Sequence, residues 1–325
     1  MLRRGIAQIE ADLGELAQSL TVLAARHRDT VMAGRTWLQQ ALPITFGLKA
    51  AGWLDAVQRH RARLVEIKPR LLVVQLGGAA GTLASLGDNG LKVAAALAQE
   101  LTLGLAATPW HAARDRLVEF AAWSGMLCGI AGKIARDISL MMQSEVGEAF
   151  EAAGAGRGGS STMPHKRNPV ACASILAAAA TTPALVATLL SAMPQDHERG
   201  LGGWHAEWHT LPELVLQAGG ALHLCVGLIG GLEVDADRMR RNLDTTSGLI
   251  MAEALAMALA EKLGKAQAHH AVEAACKRAV AQGRHLRQVV GDDGEIARQF
   301  DGKNHGRKRR THGAAHHRRH ADQGP

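Results

Sequence analysis

The sequence predicts an all-α protein: a bundle of five long helices followed by a small C-terminal helical domain. Three observations carry this. Apolar residues recur at three- and four-residue steps over long windows, the spacing of one helix face. The composition is 47% hydrophobic but poor in aromatics, with four Phe, six Trp and no Tyr, so small aliphatic side chains fill the core, as close-packed helices prefer. No stretch alternates apolar and polar residues as a half-buried strand would.

Leu2, Ile6, Ile9, Leu13, Leu16 and Leu20 mark a first helix over residues 2–28. The connector RDTVMAGRTWLQQ follows. Pro43 is expected to open a second helix that carries Leu48, Trp53, Leu54, Val57 and Leu64 and is stopped by Pro69. Residues 75–90, QLGGAAGTLASLGDNG, read as a glycine-rich loop with short helical pieces. No strand precedes GGAAG and no GK[ST] follows it, so it lacks the context of a phosphate cradle. A third long helix covers about 111–150, with Leu117, Phe120, Ile130, Ile134, Ile138 and Met142. A fourth starts at Asn168-Pro169, with asparagine as cap and proline in the first helical position, and ends before Pro194. A fifth covers about 205–230, and shorter helices follow at about 235–241, 247–263, 266–282 and 284–290. The expected division is a bundle domain over 1–231, a small helical domain over 232–300, and a tail over 301–325.

The tail, DGKNHGRKRRTHGAAHHRRHADQGP, has no leucine, valine or isoleucine and cannot build a core, so disorder is expected there. It holds seven Lys/Arg against two Asp, +5 of the chain's +7, which leaves residues 1–300 nearly neutral with 30 basic and 28 acidic side chains. The abrupt change of texture fits a reading-frame change near the C-terminus. GRKRR could serve nucleic acid or nuclear targeting, and His312, His316, His317 and His320 a loosely held metal. Neither is the expected role: nucleic acid is not the anticipated partner, and no metal or cofactor is called for. HAEWH at 205–209 lacks the adjacent glutamate of a zinc HExxH pattern, and Trp204 and Trp208 read as pocket wall or core. Cys128, Cys172, Cys225 and Cys276 are far apart in apolar contexts, as free thiols of a cytoplasmic protein would be. No continuous apolar run of 18 residues appears and the N-terminus lacks a signal-peptide core, so no membrane association is expected.

The densest chemistry lies in GRGGSSTMPHKRNPV, Gly156 to Val170. Glycines 154, 156, 158 and 159 permit bending. Ser160 or Ser161, beside a lysine and backbone dipoles, could act as an alkoxide base. Lys166 and Asn168 can donate to a carboxylate, and the helix that starts at Pro169 turns its positive end toward the same place. Together these groups suit proton removal from a carbon next to a carboxylate. On spacing alone, a flexible connector with incidental charge is the reading to prefer.

GSSTMPHKRNP resembles the signature loop of the fumarase/aspartase superfamily, and the five-helix reading agrees with that superfamily's central domain, which assembles as a tetramer around a twenty-helix bundle. The resemblance makes Ser160 the catalytic base, and places Ser161, Met163, Lys166 and Asn168 around the substrate and its enolate-like intermediate. HRDTVMAGRTWLQQALPITFGLKAAGWLDA, residues 27–56, resembles the superfamily's second region. Most lyases there read GRTH, with the histidine as general acid or its helper; this chain has Trp37. GRTWLQ and PQDHERGLGGWHAEWHTLPE, residues 194–213, resemble the bacterial carboxymuconate cycloisomerases, and with DISLMMQSEVGEAFE the similarity runs over residues 10–295.

The substitution has a chemical reason. An amine or hydroxide leaving group needs a proton as it departs. A carboxylate, with a pKa of about 4, leaves as a stable anion. The resemblance therefore implies intramolecular addition of a carboxylate across a double bond of a planar tricarboxylate, with Trp37 as an apolar wall. Arg199, in HERG, matches a substrate-binding arginine and is expected to clamp another carboxylate. Thr36 and Gln39 are expected to line the pocket from another subunit of a homotetramer with shared sites. His27 either meets substrate or is structural. Relatives carry a further N-terminal helical domain with a TSxD-type segment, whereas this chain starts inside the first long helix, as a truncated member would. The alternatives are an adenylosuccinate-lyase-like enzyme, which would miss the histidine at position 37, and a helical scaffold without catalysis.

Overall fold

The stripe of the first helix is the seam on which the bundle is built. In this computed structural model, α1 (Leu2–Arg26) buries Ile6, Ile9, Leu13, Leu16, Leu20 and Leu23, the three- and four-residue steps of one face. That face packs on α2 (Phe46–Leu71) and α6 (Gly203–Gly230). The structure describes residues 2–152, 158–159, 163 and 166–297. They divide into two compact units, residues 2–32 with 44–239 and residues 33–43 with 240–297.

In the first unit, α4 (Asp115–Met141) packs against α2, α6 and α5 (Val170–Ser191). Phe46, Trp53, Phe120, Trp123, Leu127, Ile134, Ile138, Leu222 and Cys225 form the core among these helices. Small residues let the helices approach: a Cβ on Gly132 of α4 would lie 2.7 Å from Ala179 Cβ on α5. After α7 (Ala236–Asn242), α8 (Ala252–Leu263) and α9 (Lys265–Gln282) of the second unit pair and are joined by α10 (Leu286–Asp292) around Leu259, Val272, Ala275, Leu286 and Val289.

Several boundaries differ from expectation. The connector after α1 is a hairpin, β1 (Val31–Thr36) with β2 (Gln39–Thr45). Its burial does not alternate along β1, so the period-two signal is absent. Pro43 lies in β2, and α2 starts at Phe46, where the Thr45 hydroxyl accepts from Leu48 N at 3.1 Å. Pro69 does not stop α2: the helix runs to Leu71, and Leu72 N still reaches Lys68 O at 2.9 Å. α3 (Gly90–Glu100) falls between the anticipated elements, flanked by the short parallel strands β3 (Val73–Val74) and β4 (Gly104–Leu105). α4 stops at Met141 rather than near 150. The chain turns through Gly147, at φ +58°, into a short strand β5 (Ala149–Phe150), which pairs antiparallel with β6 (Glu233–Val234).

α4, α5 and α6 are long and apolar enough, by length and composition, to cross a membrane, although no continuous apolar run reveals it. The apolar window of α4 is 56% buried inside the chain, and that of α5 only 17%.

One core group is titratable. His60 on α2 is fully buried and stacked on Trp123, with ring centroids 4.4 Å apart. Trp123 Nε1 donates to the His60 carbonyl at 3.1 Å, and neither His60 ring nitrogen has a partner. Burial, then the charge of Arg63, pushes its pKa down to about 4 from 6.5. The unfolded chain therefore binds a proton that the folded chain refuses between those two values. Stability from neutral His60 is complete above 6.5, declines as pH falls toward 4 and levels off below it, by an amount on the order of 3 kcal/mol. Urea unfolding at pH 7 and pH 4.5 is expected to show this loss in the unmodified chain, and a smaller one in His60→Phe, which keeps a ring against Trp123.

Candidate active site

The signature loop is anchored at both ends. It leaves β5 at Glu151 and returns through an isolated antiparallel bridge between Gly159 and Arg167. Asn168 N donates to Gly158 O at 2.7 Å, and Gly158 sits at φ +70° with its missing Cβ only 2.9 Å from Asn168 O. Only glycine meets both conditions. Lys166 N donates to Met163 O at 3.0 Å. Met163 and Lys166 are exposed and Asn168 is half-buried. Ser160 and Ser161 lie outside the described residues.

The start of α5 departs from expectation. The helix begins at Val170, so Pro169 stands at the cap position and the Asn168 side chain does not cap. Glu151 does: Oε2 accepts from Ala171 N at 3.0 Å and Oε1 from Cys172 N at 2.8 Å. The helix's positive end is thus already met by a carboxylate from this chain. Burial, and then Glu151, raises the pKa of the Cys172 thiol and keeps it neutral. Arg167 ties the same base together: it donates to the Glu151 carbonyl and to Glu233 Oε2 at 2.9 Å, and lies over the Phe150 ring at 4.8 Å. Neither Glu151 nor Arg167 stood out in the sequence, because a partner twenty positions away leaves no periodic signal.

Arg199 is held by backbone. Its guanidinium donates to Gly78 O at 2.6 Å and Ala79 O at 3.3 Å, and lies over Trp204 at 5.4 Å. The glycine-rich stretch is therefore a docking partner of Arg199, and it is pressed on His111: a Cβ at Gly77 would come within 2.7 Å of that ring. Burial, then Arg199 and Arg114, lowers the His111 pKa. Beneath lies an ion pair the sequence did not disclose. Arg114 donates to both Glu207 oxygens, at 2.7 and 2.5 Å, with side-chain exposures of 3% and 7%, and its guanidinium also reaches the Trp110 and His111 carbonyls. Glu207 is the central acid of HAEWH. Trp204 is partly buried under Arg199, while Trp208 is exposed.

His27 has a structural setting. Its Nδ1 pairs with Thr30 Oγ1 at 3.1 Å, its ring meets Phe46 edge-on, and its carbonyl accepts from Gly47 N at 2.9 Å. Thr36, Trp37 and Gln39 belong to the second unit, at the tip of the hairpin. Trp37 and Leu38 form the turn at φ +52° and +63°, and Trp37 is 96% exposed. Such a turn favours Asn-Gly, and a bulky residue there is strained. Among the described residues, no hydrogen bond or ion pair joins Arg199 to Lys166 or Asn168.

Comparison with known proteins agrees with the loop and the helices. Residues 1–182 match the family described as Lyase, and residues 248–323 match adenylosuccinate lyase C-terminus. A 3-carboxy-cis,cis-muconate cycloisomerase of Pseudomonas aeruginosa is 59% identical over 93% of this chain and 66% of its own length. One from Pseudomonas putida is 54% identical over 92% of this chain and 71% of its own. The crystal structure of 3-carboxy-cis,cis-muconate lactonizing enzyme from Pseudomonas putida superposes with a TM-score of 0.87 at 53% identity, over 93% of this chain and 67% of that one. The chain thus spans about two thirds of the length of the relatives it matches.

The buried ion pair gives a direct test of this region. Glu207→Ala strands a buried guanidinium and is expected to cost about 3–5 kcal/mol in urea unfolding. Arg114→Met combined with Glu207→Leu is expected to recover most of that loss, because no charge then remains buried.

Proposed function

Because the chain belongs to the lyase family of the fumarase/aspartase superfamily, we propose that it is a cycloisomerase converting 3-carboxy-cis,cis-muconate to 4-carboxymuconolactone in protocatechuate degradation. The observation that carries this reading is Trp37 in the GRTWLQ segment, in a chain whose relatives with that activity are more than half identical to it. Elimination of an amine or hydroxide needs an acid to protonate the leaving group. Addition or departure of a carboxylate does not, and a tryptophan where most lyases place histidine suits a leaving group that departs as a stable anion.

In the forward direction, one substrate carboxylate oxygen bonds to a carbon of the conjugated diene. The electron pair of that double bond moves toward a second carboxylate, giving an enolate-like intermediate. Lys166 and Asn168 hold the charge there, with Ser161 and Met163 beside them, and Ser160 delivers a proton to the carbon. In reverse, Ser160 removes that proton and the lactone oxygen leaves as carboxylate. Arg199, expected to clamp another substrate carboxylate, is engaged in this chain by the Gly78 and Ala79 carbonyls, so that role requires it to exchange these partners for the substrate. His27 acts by fixing the entry into α2.

The exposed faces support a homotetramer with shared sites. α5 is apolar enough to span a membrane yet mostly uncovered, and a strained, exposed Trp37 sits at a hairpin tip. Both features suit burial against other copies. A cytoplasmic location fits the four cysteines, none paired in a disulfide. A second reading, an adenylosuccinate-lyase-like activity, draws on the match of residues 248–323 and is opposed by Trp37.

Ultraviolet-monitored loss of 3-carboxy-cis,cis-muconate with the purified chain tests the proposal. Turnover is expected, with a loss of at least a thousand-fold on the order of a removed catalytic group in Ser160→Ala, and sedimentation at the mass of four chains for both proteins. Full activity in Ser160→Ala, or turnover of adenylosuccinate instead, would overturn it.

A further inference from the structure

We propose that Glu151 is a positioning residue whose carboxylate clasps the two ends of the signature loop and thereby presents Lys166 and Asn168 to the substrate carboxylate. The proposal rests on the roles given to Lys166 and Asn168 above. Three sets of contacts carry it. First, Glu151 stands just after β5, where the loop departs, yet its two carboxylate oxygens accept from Ala171 N and Cys172 N, in the first turn of α5, where the loop has ended. Those amides have no acceptor within their own helix, and Pro169 at the cap position brings no side-chain acceptor. Second, Arg167 on the returning limb bonds to the Glu151 carbonyl and to Glu233 on β6, and covers Phe150 on β5. Third, the two limbs are bridged directly, through Gly159 with Arg167 and through Asn168 N with Gly158 O.

Neighbouring positions of an extended segment face opposite ways. With Arg167 turned onto β5 and β6, Lys166 and Asn168 on either side of it face away from the clasp. The aim of both depends on Arg167 staying where the Glu151 carbonyl and Glu233 hold it, and on the Glu151 carboxylate holding the first turn of α5, into which this limb runs. A second consequence concerns charge. The positive end of α5 already carries a resident carboxylate, so the charge that develops on the substrate has to be met by the side chains of Lys166 and Asn168, not by the helix terminus. This places the specificity for a carboxylate in two residues whose geometry is set by a third.

The test compares the full chain with E151A and E151Q by hydrogen–deuterium exchange, thermal unfolding and steady-state kinetics on 3-carboxy-cis,cis-muconate. In E151A, exchange at Ala171 and Cys172 is expected to rise at least tenfold, and KM to rise severalfold with kcat/KM down tenfold or more, at a melting temperature within a few degrees of the unmodified chain. E151Q keeps one acceptor oxygen and is expected to restore most of the protection and most of kcat/KM. Unchanged exchange in E151A would sink the clasp. Faster exchange with unchanged KM and kcat would reduce Glu151 to a structural cap and sink the positioning role. Should the unmodified chain fail to turn over the muconate, the functional reading falls, and the exchange measurement alone still decides whether the clasp exists.

Discussion

Burial of α4 is the constraint on which the first unit depends. Its 27 residues touch α2, α5 and α6, and nearly half of them are buried. Trp123, in its N-terminal half, stacks on both Phe120 and His60 and donates to the His60 carbonyl. A helix surrounded on three sides has no free face on which to shift register, so its two ends are fixed in space. One end delivers Arg114 to the buried pair with Glu207. The other delivers β5 and Glu151 to the loop. The chemistry-bearing segments therefore inherit their positions from the packing of an apolar rod.

Both ends of that rod show how buried polar groups organise a site. Removing Arg114 and Glu207 from water is costly, and the cost is offset only by the two-point pair and the carbonyls that share the guanidinium. At the loop, the free amides of α5 require an acceptor, and a carboxylate is the strongest one the chain offers. In each case a demand for hydrogen bonds joins segments that are distant in the sequence. Arg199 repeats the pattern on a smaller scale by gathering the carbonyls of Gly78 and Ala79.

The uncovered apolar surface concerns assembly. A helix with the hydropathy of α5 is ordinarily buried on most of its circumference, and here one chain buries little of it. The fold thus carries more apolar helix surface than its own core uses, and this is the surface that the proposed homotetramer would bury.

The sequence by itself determined the long helices and the lyase loop. Periodicity is local, and α1 and α6 fall almost where it predicts. The loop's residue types are dictated by chemistry, so they are legible as a string. Only the tertiary structure decided what depends on distant partners. The hairpin at residues 31–45 reads as a connector in the sequence because burial along β1 does not alternate, and only the pairing of β1 with β2 reveals it. Pro43 and Pro69 punctuated nothing, because strand pairing and a last helical turn can absorb a missing N–H. The cap of α5 passed from Asn168 to Glu151, and Arg199 turned to backbone carbonyls. A hydrogen bond between residues 20 to 121 positions apart is selected by packing, and packing leaves no mark in the spacing of the residues it joins.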